Sequence, residues 1–366
     1  MPATKKVGVS DIAKHAGVSI GTVSNYLNYP ERVSDTLKAK ISASIAELGY
    51  VPRRAMPVSA ASSSLSTPLV GYVMTDIEHS LFTSIFEGIQ EVCEDNGMQV
   101  IGVNAFSDLD RQHELVRLFT QMPDVVGIML ATVQDPHEDI AIAEAAGKPI
   151  ILLDHTSPAG QDAACSVQEN NAACGRLAAE ELIHSGCRRL AFVAHSFDYE
   201  AIQDRYLGMQ QAVMRAGGDT TLMVIDSGGL TIDDGMEVGK RLAVEINKAR
   251  GKTSSNTSDD PTTLPNNSDL PPDGIVAGSD QLAIGLSLGL TDEGLCSIPA
   301  DVSVIGTENA RNESVGNTAI TVVAAPGADM GRKAMMMMLD EINNLSHIHG
   351  STMLDPTLIR RASTRR

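Results

Sequence analysis

No stretch of this 366-residue chain approaches ~18 uninterrupted apolar residues, so no segment reads as a membrane-spanning helix. The N-terminus lacks the apolar core of an export signal, because Lys5 and Lys6 lead straight into polar helical sequence. The five cysteines, Cys93, Cys165, Cys174, Cys187 and Cys296, include no C-x-x-C pair. Scattered in this way, they read as small buried apolar groups in a reducing compartment, and a cytoplasmic location is the expectation. Also missing are a G-x-G-x-x-G after a strand, a P-loop, an H-E-x-x-H and any spaced set of metal ligands. No enzyme class, cofactor or metal is therefore indicated. Gly17-Val18-Ser19-Ile20-Gly21 fits the G-x-S-x-G nucleophile elbow, but that elbow needs a buried strand before the serine, and here a short helix precedes it. Positive charge is scarce as well, and a formal net charge of −18 argues at first against nucleic acid.

The charge is unevenly spread, however. Residues 1–60 hold eight Lys/Arg against four Asp/Glu, a balance of +4, while the rest holds 20 against 42, a balance of −22. A small basic head on an acidic body suits a chain that meets DNA with one end only. Within the head, three short helices can be read from caps and spacing. Ser10 is placed to cap the first, which turns Ile12, Ala13 and Ala16 inward before Gly17 supplies a turn. Ser19 is placed to cap the second, with Val23 and Leu27 on one face. Ser34 is placed to cap the third, with Leu37, Ile41, Ile45 and Leu48 at helical spacing and Pro52 beyond its end. Helix, tight turn and second capped helix make a helix-turn-helix, whose second helix enters the major groove.

From Leu69 onward, β-rich runs alternate with amphipathic helices. Strands are predicted at 69–74, 98–103, 125–130, 149–153, 189–194, 221–226, 274–277, 302–306, 319–323 and 356–360. A strand–helix–strand repeat implies parallel sheets with right-handed crossovers, and two such sets imply two doubly wound lobes. Ligands of open parallel sheets bind beyond the C-terminal strand ends. Those ends are Thr75-Asp76, Asn104, Asp154, His195-Ser196, Ser279-Asp280 and Thr307-Glu308, a polar and acidic set suited to hydroxyl-rich ligands. Residues 250–273 are polar and Pro-rich and read as a disordered surface insertion. The run Met335–Met338 lies in a predicted helix and reads as packing rather than a metal site, since four consecutive side chains point all around a helix.

DIAKHAGVSIGTVSNYLN (11–28) and VSDTLKAKISASIAELGYVP (33–52) resemble the headpiece of the lactose/galactose repressor (LacI/GalR) family. The rest resembles that family's effector domain, which has the fold of periplasmic sugar-binding proteins. The implied architecture is an all-α helix-turn-helix headpiece at 1–52, a hinge at 53–68, and an α/β effector domain at 69–366. Its first lobe would hold about 69–167 and 322–345, and its second about 168–320 and 346–366. By this resemblance Ile20, Gly21 and Asn25 face base edges, Asn25 being able to pair with adenine and Ile20 to pack on a thymine methyl. Ser19, Thr22, Ser24 and Asn28 would hold phosphates, as Arg53 and Arg54 can. The family's hinge helix wedges a Leu into the minor groove, whereas here that position falls on Ser59, and Pro57 disfavours a helix through Met56. Either Val58 or Met56 supplies the wedge from a shifted helix, or the segment is a tether.

In the effector domain the strand ends point to Asp76, and the resemblance to Phe82, Asp154, Arg205, Ser279 and Glu308. Phe82 would stack on the ligand, and Arg205 in RYLGM matches the Arg of the family's R-x-x-G-F motif. Ser279 replaces the usual Asn before Asp280, Glu308 replaces the usual Asp, and Thr307 replaces a frequent Tyr. Asp280 reads as structural rather than ligand-contacting. The expectation is a homodimeric repressor of double-stranded, pseudo-palindromic operator DNA, controlled by a sugar or sugar derivative. No leucine-heptad run of the kind that makes tetramers is read here, so a dimer is the expectation. The rival readings are a solute sensor that reads no specific operator and a regulator with a vestigial pocket.

Overall fold

The computed structural model describes residues 9–19, 22–23, 26, 33–48, 67–156, 164–255, 270–308, 314–315, 318–344 and 346–365. The chain forms two compact units, Met1–Leu65 with Leu339–His347, and Ser66–Met338 with Ile348–Arg366. In the first unit, helix α1 (Val9–Ala16) and helix α2 (Asp35–Leu48) flank a segment in which Thr22, Val23 and Tyr26 are helical. Ile12, Ala13, Val23 and Ile41 form its small core, with Ala16, Val18 and Tyr26 against it. Gly17 takes the left-handed turn at φ +67°. The side chain of Ser10, expected to cap α1, lies outside the described residues, and the helix is described from Val9 onward. Ser19 does cap the helical segment after the turn, its Oγ accepting the Thr22 N–H at 3.0 Å. Ile20, Gly21, Ser24, Asn25, Asn28, Arg53, Arg54, the hinge through 66, and residues 256–269 of the insertion lie outside the described residues.

The second unit is built on two six-stranded sheets. In the first the neighbouring strands are 351–354, 165–169, 150–153, 125–131, 69–74 and 99–104, and in the second 357–359, 321–324, 303–306, 274–277, 189–194 and 221–226. In chain order the strands are β1 (Leu69–Met74), β2 (Gln99–Asn104), β3 (Val125–Ala131), β4 (Ile150–Leu153) and β5 (Cys165–Glu169). Next come β6 (Arg189–Ala194), β7 (Thr221–Asp226), β8 (Gly274–Ala277) and β9 (Ser303–Gly306). A two-stranded ribbon of β10 (Ser314–Val315) and β11 (Thr318–Ala319) precedes β12 (Thr321–Ala324), β13 (Ser351–Leu354) and β14 (Thr357–Ile359). Every pair within the two large sheets is parallel except β12 with β14. The first lobe carries α3 (Ser80–Asp95), α4 (Leu109–Gln121) and α5 (His137–Ala145). The second carries α6 (Asn171–His184), α7 (Glu200–Ala216), α8 (Ile232–Ser255) and α9 (Asp280–Thr291). The helix α10 (Gly327–Asn343) returns to the first lobe, where Met335 Sδ lies 3.7 Å from Cys93 Sγ of α3.

Helix α3 shows how the pattern becomes packing. Leu81, Phe82, Ile85, Ile89 and Cys93 recur at 3/4 spacing and are buried. Helices α6 and α7 approach more closely than side chains normally allow. A Cβ on Gly175 would lie 1.8 Å from the Arg205 carbonyl oxygen, and one on Gly208 would lie 2.0 Å from that of Ala172. Two glycines thus let the backbones touch, and that contact sets the position of Arg205.

The lobe boundaries differ from those read in the sequence in two places. Residues 321–324 belong to the second sheet, where β12 pairs with β9 and β14. Residues 351–354 belong to the first, where β13 pairs with β5. Strands β5 and β13 were not predicted at all. The insertion is also shorter than expected: α8 continues through Ser255, and Asp273 is anchored by the backbone N–H groups of Arg188 and Arg189 at 3.0 and 2.8 Å. Among the described residues no helix is long and apolar enough to cross a membrane.

Candidate functional site

The C-terminal ends of β1, β4, β5, β8 and β9 converge on one polar cluster where the chain passes between the two sheets. Strand β4 delivers Asp154, held at φ +54°, a left-handed conformation that Asp tolerates better than most residues. Strand β5 delivers Glu169, strand β9 delivers Thr307 and Glu308, and the turn after β8 delivers Ser279 and Asp280. From α7, Arg205 reaches in and is nearly fully buried. Its Nε donates to Asn171 Oδ1 at 2.8 Å, Nη1 to the Gly278 carbonyl at 2.7 Å and Thr307 Oγ1 at 3.2 Å, and Nη2 to Glu169 at 3.1 Å. All three guanidinium nitrogens are thereby engaged, so Arg205 organises the site as a fixed fork.

Acidic groups outnumber cationic ones here. Burial, and then the nearby Glu169 carboxylate, push Asp154 up to about 7. Burial likewise raises Glu169, although Arg205 opposes the shift. Asp280 is raised to about 6 by burial and then by Glu308. Burial alone would lower the His79 pKa, but Glu308, Asp280 and Asp76 raise it to about 9. Burial works against the charge on Glu308, yet His79 and Arg205 bring its pKa below the ordinary carboxylate value. Three of these carboxylates keep a buried oxygen with no hydrogen-bond partner: Asp154 Oδ1, Glu169 Oε1 and Glu308 Oε2. Unpaired buried acceptors are costly, and a donor-rich ligand would satisfy all three.

Among the residues expected from sequence, Asp154, Arg205, Ser279 and Glu308 come together. Ser279 Oγ is used to cap α9, accepting the Leu282 N–H at 3.3 Å. Phe82 is buried and meets the His79 ring edge-on at a centroid distance of 6.2 Å. Asp76 is half-buried and turns its carboxylate back onto the Glu78 N–H at 3.0 Å. His195 pairs instead with the exposed Asp226 at 3.3 Å. Sequence reasoning missed Glu169, because its strand was missed, and also Asn171 and His79. Asp280, read as structural, pairs with His79 at 4.0 Å and accepts the Gln281 N–H at 2.7 Å.

In the headpiece, Ser19 and Thr22 are the two expected DNA contacts within the described residues. Their hydroxyls lie 2.8 Å apart, so both belong to the start of the helical segment that holds Thr22, Val23 and Tyr26. A capped helix N-terminus also suits a phosphate.

A family profile described as bacterial regulatory proteins, lacI family, matches residues 9–53. Another, described as periplasmic binding proteins and sugar binding domain of LacI family, matches 67–244. A third, a periplasmic binding protein-like domain, matches 179–364, half of the chain. The HTH-type transcriptional regulator RegA of Clostridium saccharobutylicum is 28% identical over 360 residues, covering 97% of this chain and 98% of RegA. The lac repressor dimer bound to operator and the anti-inducer ONPF shares the fold at a TM-score of 0.65 and 21% identity, covering 99% of this chain and 100% of that one. A complex of the transcriptional regulator CelR with cellobiose does so at 0.63 and 22%, covering 98% and 99%. The chain therefore belongs to the lacI family of bacterial regulatory proteins, DNA-binding transcription regulators that join a helix-turn-helix headpiece to a periplasmic-binding-protein-like effector domain.

Proposed function

We propose that this regulator is a homodimeric repressor whose operator affinity is set by a polyhydroxylated small molecule, of the sugar class, bound among Asp154, Glu169, Arg205 and Glu308. The observation that carries the reading is the set of three partnerless buried carboxylate oxygens around one fully engaged arginine. Each sugar hydroxyl can donate to one of these carboxylates, and a site built for such pairs discriminates strongly against ligands that lack them. The cellobiose in the CelR complex and the operator-bound lac repressor dimer support the ligand class and the assembly. We assign residues 1–52 to the headpiece, 53–68 to the hinge and 69–366 to the effector and dimerisation domain. Asp76, Phe82 and Ser279 complete the proposed ligand wall. Sensing rather than catalysis fits the one thiol in the cluster: burial, then Glu169, push the Cys174 thiol well above its usual pKa, which keeps it un-ionised and a poor nucleophile.

On the DNA side, Ile20, Gly21 and Asn25 are the proposed base readers, with Ser19, Thr22, Ser24, Asn28, Arg53 and Arg54 on phosphates. The test is selection of duplexes from random DNA by the full-length protein at fixed salt, followed by affinity measurements on the enriched sequence with and without each member of a sugar panel. An inverted repeat with half-sites about one turn apart is expected. An effective sugar should change operator affinity by a coupling of roughly 1–3 kcal/mol. Asn25→Ala should cost about 1–3 kcal/mol at a single base position, whereas Arg54→Ala should weaken all sequences and flatten the salt dependence. Equal loss on every sequence for Asn25→Ala would remove it from the readers. No response to any sugar would remove the ligand class.

A further inference from the structure

The gap beside His79 has the dimensions of a metal site. Among the described residues, His79, Asp280 and Glu308 each present one ligating atom, and the three atoms lie within 4.8 Å of one another. His79 Nδ1 stands 4.0 Å from Asp280 Oδ1 and 3.9 Å from Glu308 Oε2. Those separations are too long for hydrogen bonds. Elsewhere in the same molecule a buried histidine–carboxylate pair closes fully: His113 Nδ1 is 2.8 Å from Asp139. His79 stands at ion-pair distance from both acids without closing a hydrogen bond, and Glu308 Oε2 is buried without any hydrogen-bond partner.

A divalent cation that displaces the His79 proton fits such a gap. Two bonds of about 2.1 Å place ligand atoms about 3.4 Å apart at a tetrahedral angle and about 4.2 Å apart when opposed. The observed 3.9 and 4.0 Å fall between these limits, so shifts of a few tenths of an ångström reach a zinc-like geometry. One imidazole and two carboxylates favour a transition metal over calcium or magnesium, and three protein ligands leave a coordination position open.

We propose that His79, Asp280 and Glu308 form a binding site for a divalent transition-metal ion. His79 precedes α3 of the first lobe, whereas Asp280 opens α9 and Glu308 follows β9 in the second. The bound ion ties the lobes together and acts as a second regulatory input. The inference does not depend on the sugar reading, although Glu308 is common to both.

The experiment uses full-length protein stripped with a chelator and dialysed, then titrated calorimetrically with zinc chloride. Cobalt(II) serves as a spectroscopic probe, since its visible absorption reports the coordination number. Wild type should take up about one equivalent that His79→Ala and Asp280→Asn lose or bind at least tenfold more weakly, together with the tetrahedral cobalt band. Glu308→Gln, which keeps the side-chain volume, guards against loss through misfolding, with circular dichroism confirming the fold of each variant. Zinc uptake and cobalt spectra unchanged in His79→Ala would overturn the site, as would absence of binding to wild type. Sugar binding by metal-free protein would leave the reading of the preceding subsection intact in either case.

Discussion

Arg205→Met removes a buried charge while keeping most of the side-chain stem, and its cost can be worked from the contacts. The guanidinium faces Glu169, whose side chain is fully buried, and bonds Asn171, Gly278 and Thr307. Removing one partner of a buried ion pair costs about 3–5 kcal/mol, because the other charge stays behind uncompensated. Stranding the Asn171 and Gly278 acceptors adds about 1–3 kcal/mol each, though these losses overlap and do not sum. A net loss of about 4 kcal/mol is expected, a large share of the 5–15 kcal/mol typical of folded domains. Urea unfolding followed by circular dichroism measures it directly. The double variant Arg205→Met/Glu169→Gln removes both charges and should recover a large part of the loss. The deficit of the single variant should also shrink as pH falls. Without Arg205, the Glu169 pKa rises further above its unfolded value, so the folded state takes up its proton first and gains stability on acidification. A loss below about 1 kcal/mol, or a double variant no better than the single, would refute the role assigned to this pair.

Asp154 makes stability pH-dependent in a definite direction. Its folded pKa of about 7 lies above the unfolded value, so its stabilising contribution is complete below about pH 4 and lost as pH rises through 7, by up to about 4 kcal/mol. Asp154→Asn should flatten that slope in thermal melts between pH 5 and 8 and stabilise the protein at pH 8; an unchanged slope would assign it to other groups. Gly175→Ala drives a Cβ to 1.8 Å from the Arg205 carbonyl and should cost about 3 kcal/mol, read as a lowered urea midpoint with near-wild-type helix content. Ser19→Ala should destabilise the headpiece by about 1 kcal/mol through loss of the cap, measured by amide exchange of α1 and α2. Ser19→Asp should keep the cap but repel phosphate, so headpiece stability survives while operator affinity falls; retained affinity would place the Ser19 hydroxyl away from DNA.

How far the sequence could be read depended on whether a feature is local. Strands 69–74, 189–194, 221–226 and 274–277 match β1, β6, β7 and β8 to the residue, because each is a β-branched or apolar run bounded by turn residues. CSVQE at β5 escaped the same test. All five of its residues are buried, so a polar serine, glutamine and glutamate sit where an apolar run is expected. They are accommodated by partners far along the chain: Ser166 Oγ meets Ser351 Oγ at 2.7 Å, and Glu169 meets Arg205. Missing β5 meant missing Glu169, and with it the carboxylate that holds Arg205 in place. The lobe boundaries failed for a related reason, since nothing local to Thr321–Ala324 or Ser351–Leu354 says which sheet each will join. Strand-end residues such as Asp154 and Glu308 could be nominated because ligands collect at C-terminal strand ends as a consequence of topology. Their pairing could not. His79 and Glu308 lie 3.9 Å apart in space and more than half the chain apart in sequence. The crossing of the chain between the lobes creates that proximity, tied where the Asn170 N–H meets the Leu354 carbonyl at 2.8 Å. A regulator of this architecture therefore carries its ligand chemistry in contacts that exist only once both lobes have folded and met, which is the condition for a ligand there to report on the arrangement of the lobes.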